Sequence, residues 1–236
     1  MSSSGSFSIL RQFKPMEGHP ASLLQARDGF FYGCAVWPFA AAGSGTLFRM
    51  APSGNHFEVL YRFTSVDASG RNTDGANCDE PLVETSHGIF YGAARAGGVN
   101  GNGVVFRYSL ANPGTVDIVH AFSVFNATGK NSDGAAPQAR LTRGEDGALY
   151  STASFGGANG NGVVYRIRNS GLFEVIHTFG ATDPVTGANA DGARANFGVL
   201  VHDDSLIGIP NIGGKGSLAG AIGNGTLYRL QLDDCR

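Results

Sequence analysis

Short runs of alternating apolar and polar residues recur along this chain as a set of four. Between residues 64 and 122 the set is Leu82–Glu84, Ile89–Ala93, Val104–Tyr108 and Val116–Phe122. Between 123 and 179 it is Leu141–Arg143, Ala148–Ala153, Val163–Ile167 and Phe173–Phe179. A period of two, with glycine-bearing turns such as Glu145-Asp146-Gly147, predicts β-strands, and no run has the period of a helix. Gly45-Thr-Leu-Phe-Arg49 returns at Gly103–Arg107, Gly162–Arg166 and Gly225–Arg229, about 60 residues apart each time. A repeat of that length is one supersecondary unit, which buries its apolar face only against its neighbours.

The ends of the chain fix the register. The first three units close with an apolar run, Phe57–Phe63, Val116–Phe122 and Phe173–Phe179, whereas the fourth stops without one. Ser8-Ile-Leu-Arg-Gln-Phe13 aligns with Glu174-Val-Ile-His-Thr-Phe179. An N-terminal strand that completes the last unit removes two sheet edges. The expected fold is all-β: one domain, residues 1–236, forming a four-bladed β-propeller of four-stranded antiparallel blades. Its repeats are approximately 14–63, 64–122, 123–179, and 180–236 plus 6–13.

The motifs resemble the GloVer-type tandem repeat of bacterial proteins. The resemblance rests on Leu149-Tyr-Ser-Thr152, the loop and strand Gly156-Gly-Ala-Asn-Gly-Asn-Gly-Val-Val-Tyr-Arg166, and Asp133-Gly-Ala-Ala-Pro137. It covers essentially the whole chain and implies exported surface proteins with an anchoring signal. It carries no catalytic residue across.

Composition narrows the function classes. The 236 residues are 42% hydrophobic, enough for a filled core, and 17 Lys and Arg stand against 19 Asp and Glu with no basic run. Nucleic acid is therefore not an expected partner. No apolar stretch is long enough to span a bilayer, and residues 1–8 do not read as a signal peptide, so a soluble cytoplasmic chain without membrane partners is expected. The three cysteines, Cys34, Cys78 and Cys235, form no secreted-type disulfide framework; a Cys34–Cys78 bridge between neighbouring blades is conceivable but not expected in a reducing compartment, and a buried free thiol is the expected state of Cys34. The oligomeric state is read as monomer or homodimer.

Long polar loops gather on one face of such a fold, where binding normally resides. Positions at which one unit departs from the others are free of the repeat's own explanation. Those departures cluster in the first two units: His19, Cys34, Trp37, Cys78, Asp79, Glu80 and Arg95. Asp79 and Glu80 can act as acid and base, His19 can shuttle a proton, and Arg95 can hold an oxyanion. Cys34, Trp37, Phe39, Asn100, Phe155, Asn159 and Asn211 are the ligand-binding candidates, suited to a small molecule or saccharide. The expected function is binding of a small or extended polar ligand. The alternative is a cofactor-independent lyase, isomerase or cyclase of a specialised secondary-metabolite pathway. Oxygen-rich loops such as Asp67–Asp74, Asn126–Asp133 and Asp183–Asp191 lack the bidentate Glu of a Ca²⁺ loop, so Ca²⁺ is not favoured and no cofactor or metal is expected. His120 and His177 occupy one repeated slot and read as scaffold.

Overall fold

A computed structural model describes residues 5–37, 44–215 and 223–232. They form four antiparallel sheets in chain order and no helix. The first sheet holds β1 (His19–Pro20), β2 (Leu24–Gln25), β3 (Phe31–Val36), β4 (Thr46–Met50) and β5 (Glu58–Arg62), with β1 and β2 both paired to β3. The second is β6 (Val83–Ser86), β7 (Ile89–Ala94), β8 (Val104–Ser109) and β9 (Val116–Ala121). The third is β10 (Thr142–Arg143), β11 (Leu149–Ala153), β12 (Val163–Ile167) and β13 (Phe173–Thr178). The fourth is β14 (Val199–His202), β15 (Ser205–Gly208) and β16 (Tyr228–Gln231).

The core lies between sheets, as the repeat requires. Tyr32, Leu47 and Phe63 of the first sheet and its outer edge meet Leu82, Phe90 and Phe106 of the second. Val105 and Phe122 then meet Leu141, Val163 and Tyr165, and Tyr150, Val164 and Phe179 meet Val199 and Leu206. Innermost strands follow one another in space, β6 beside β10 and β10 beside β14.

The repeated phrase has a local cause. Its glycines, Gly45, Gly103, Gly162 and Gly225, all have positive φ, from 81° to 109°. A Cβ at Gly162 would lie 2.4 Å from the carbonyl oxygen of Ala153, so only glycine fits. The carbonyls of Gly45, Gly103 and Gly162 accept the N–H groups of Phe63, Phe122 and Phe179 at the ends of the outer strands.

A carboxylate then fastens each outer strand to the start of the next unit. Asp74 accepts bonds from the Tyr61 hydroxyl at 2.7 Å and the Thr64 N–H at 2.8 Å. Asp133 does the same with His120 Nε2 at 2.9 Å and the Ser123 N–H at 3.0 Å. Asp191 takes His177 Nε2 at 2.9 Å and the Gly180 N–H at 3.0 Å. Glu17 repeats the pattern on the N-terminal segment, taking the Arg11 guanidinium and the Lys14 N–H. The two histidines are thus part of the scaffold.

The N-terminal segment departs from expectation in one respect. Phe13 packs edge-on against Phe48 at 5.1 Å, as Phe63 does on Phe106, Phe122 on Tyr165 and Phe179 on Tyr228. Its place against the first sheet is the one the alignment gives. Residues 6–13 nevertheless form no strand, and the fourth sheet has three strands among the described residues. In the other sheets the strand-three arginine pairs with an outer-strand carboxylate: Arg49 with Glu58, Arg107 with Asp117, Arg166 with Glu174. The aligned partner for Arg229 is Ser8, so the charge pair that would pin this strand is missing.

A second correction concerns Cys34. It is fully buried and bonded to Cys78, with a Cα–Cα distance of 5.6 Å, and is neither a free thiol nor available to a ligand. Closing a loop across a separation of 44 residues contributes about 4 kcal/mol in the chain-entropy account. Such bridges are common in oxidising compartments and rare in a reducing one. Among the described residues, no helix is long and apolar enough to cross a membrane.

Burial alone would raise the pKa of Asp133, but the bonds from His120 and Ser123 hold it below its ordinary 3.8. A depressed carboxylate contributes stability that is present above its unfolded value and lost as pH falls through the folded one. Asp133→Asn should therefore lose about 1–3 kcal/mol near neutrality and show a shallower loss of stability below about pH 4. Denaturant unfolding across pH checks this; an unchanged midpoint in the variant contradicts the role given to the carboxylate.

Candidate functional site

Two kinds of segment build the loop-rich face: the connections from β7 to β8 and from β11 to β12, and the long stretches between sheets. Their amide side chains are largely spent on holding the loops. Asn72, Asn131 and Asn189 each donate to two carbonyls and accept two N–H groups. Asp67, Asn126 and Asp183 fold back onto their own loop N–H groups. Asn100 and Asn159, read from sequence as ligand-binding, donate to the carbonyls of Phe122 and Phe179 at 3.0 and 2.9 Å. Those bonds give both residues a place in the scaffold.

Of the four acid–base candidates, three come together. Arg95, at the end of β7, pairs with Asp79 at 2.9 Å, and Glu80 adjoins them in the chain. Burial raises the pKa of Asp79 and outweighs the opposing pull of Arg95. Burial also raises that of Glu80, reinforced by the charge of Asp79 and opposed by Arg140. The Glu80 carbonyl accepts the Ser22 hydroxyl at 3.0 Å, tying this stretch to the first sheet. His19 lies exposed in β1, paired with Val36, and no bond joins it to the other three among the described residues.

Arg95 follows β7 in the second sheet and Phe155 follows β11 in the third. Both line a pocket of about 310 Å³ with Asn102, Phe125, Ala135 and Ala136. Phe155 is 38% exposed and Phe125 41%, so two aromatic faces stand open there. Arg194 lies over the Phe155 ring, 5.2 Å from its centroid. Ala136 has φ 51°, and its backbone holds Asn102 and Ser154 in place, which makes the pocket floor main chain. Guanidinium donors beside apolar rings suit a ligand with one polar edge and one apolar face.

Trp37 is half-buried just beyond β3, and Asn211 is exposed just before Ile212, which bridges to Ala193. Neither lines this pocket. Phe39 lies outside the described residues. Sequence reading passed over Phe125 and Arg194. The signal was available: Phe125 stands where the flanking units have Val66 and Thr182, and Arg194 where they have Asn77 and Ala136.

Comparisons with known proteins bear on the family. Among solved structures, the chain is similar to a streptogramin B lyase at 12% identity, covering 93% of this chain and 57% of that one, with a TM-score of 0.44. It is similar to a luciferin-regenerating enzyme at 13% identity, covering 88% and 59%, with a TM-score of 0.46. A PQQ-bound aldose sugar dehydrogenase from Streptomyces coelicolor is 12% identical over 89% of this chain and 81% of that one, with a TM-score of 0.41. The chain thus spans under two thirds of the length of the first two. No curated protein matches it. A family model, the Gloeobacter/Verrucomicrobia repeat, matches residues 1–189. The chain belongs to the Gloeobacter/Verrucomicrobia repeat family.

Proposed function

We propose that each sheet is one blade of a four-bladed β-propeller, which binds a small polar ligand of the saccharide kind at the junction of blades two and three. Support for four blades comes from the four carboxylate fastenings and from Phe13, which stands against the first sheet as an outer-strand residue of a fourth blade would. The binding reading is carried by one observation, the loop-face pocket of about 310 Å³ with Phe125 and Phe155 exposed beside Arg95. A sugar's apolar ring face packs on the phenyl rings, and its hydroxyls accept from the guanidinium and bond to the main-chain floor.

Calorimetric titration with a panel of mono- and oligosaccharides tests this. One site per chain is expected, with Phe155→Ala and Arg95→Gln each weakening binding about tenfold or more. A panel that yields no binding, or variants that bind like the parent, would sink it.

The raised pKa values of Asp79 and Glu80 favour a second reading, an acid–base enzyme using these carboxylates beside Arg95. For Glu80 the sign follows from burial. A folded pKa above the unfolded value contributes stability below the ordinary 4.5, and that stability is lost as pH rises through the folded value. Glu80→Gln should raise the Tm at about pH 7 and bring no gain below about pH 4. Equal melting of variant and parent at both pH values would remove the electrostatic basis for the enzyme reading.

A further inference from the structure

The short-turn face of the same junction holds a second pocket, of about 250 Å³, whose lining includes Thr85, Tyr91, Arg107, Arg143, Arg168 and Asn169. Three of these are arginines, and no carboxylate is among the lining residues. Two departures from the repeat produce that charge, and each removes an acid found elsewhere.

The first is at Arg143. Ladder register equates it with Gln25, Glu84 and Val201 of the other units, since these pair with Phe31, Phe90 and Leu206 as Arg143 pairs with Leu149. At the preceding junction Glu84 accepts the Arg27 N–H at 2.8 Å. Here Arg143 instead reaches across to donate to the Thr85 carbonyl at 2.8 Å, and among the described residues it has no carboxylate partner.

The second is at Tyr91. Its counterparts Tyr32 and Tyr150 donate to Asp28 and Asp146 in the turn before them, at 2.7 and 2.8 Å. The turn before Tyr91 is Ser86-His87-Gly88, which has no acid, so the phenol is left beside Arg107. Of the other lining arginines, Arg107 pairs with Asp117 and Arg168 with Glu174. Arg143 is thus the lining arginine that has no carboxylate partner among the described residues.

We propose that this pocket binds a small ligand through a tetrahedral oxyanion, the phosphate or sulfate group of an ester. Guanidinium groups match such oxygens in geometry as well as charge, and a phenol and a threonine hydroxyl supply further donors. The site is independent of the loop-face pocket.

The test is calorimetric titration of the full chain with inorganic phosphate, inorganic sulfate, phenyl phosphate and phenyl sulfate. One saturable site is expected, with a Kd in the millimolar range or tighter that weakens as NaCl is added. Phosphate-only binding assigns a phosphate ester, and sulfate-only binding a sulfate ester. Arg143→Gln should weaken binding about tenfold or more. Because Arg143 also bridges two sheets, Ser86→Glu gives a second variant, which places a negative charge at the rim and should likewise weaken binding. Silence with all four probes overturns the proposal, as does undiminished binding in both variants.

Discussion

A carboxylate taken out of water must be met by hydrogen-bond donors, and this chain meets that demand in one way at every described junction. The acid that opens a unit, Asp74, Asp133, Asp191 or Glu17, receives the end of the preceding outer strand through a side-chain donor and a backbone N–H three residues later. Everything else depends on that fastening. It sets the distance between neighbouring sheets, and so lets Phe63, Phe122 and Phe179 reach the aromatic residue of the next strand three. The core is consequently a chain of interfaces, none of which a single unit could form.

Fixed junctions leave the chemistry to whatever varies between units. The loop-face pocket and the arginine-lined pocket lie on opposite faces of one junction, between the second and third sheets. Both are lined by residues that differ from their counterparts in other units, Phe125 in the first pocket and Arg143 in the second. The disulfide holds the adjacent junction, where Cys34 and Cys78 join the first and second sheets. Burial and the ion pair with Arg95 act in opposition on Asp79, and burial prevails.

Much of the fold was legible because it follows from local rules repeated four times. Strand runs, the recurrence of the glycine-led phrase and the alignment of residues 8–13 with 174–179 all come from pattern alone. The alignment placed Phe13 correctly but not a strand ladder, since side-chain packing and strand pairing are separate requirements and Ser8 supplies no partner for Arg229. The disulfide was conceivable between neighbouring blades but set aside by compartment, whereas the proximity of Cys34 and Cys78 is a property of neighbouring sheets. The bonds of Asn100 and Asn159 were illegible for a related reason. An amide in a polar loop looks free until the carbonyl it reaches, Phe122 or Phe179, is known. Arg95 and Phe155 were legible as departures from the repeat, yet their convergence was not, because it needs the order of sheets in space.

The most direct measurement is native-state hydrogen exchange at the four fastened amides, those of Lys14, Thr64, Ser123 and Gly180. If one fastening recurs at every junction, all four amides exchange slowly, and Lys14 is protected to within about tenfold of the others. Exchange of Lys14 at the rate of an unstructured chain, with the other three protected, would contradict the account.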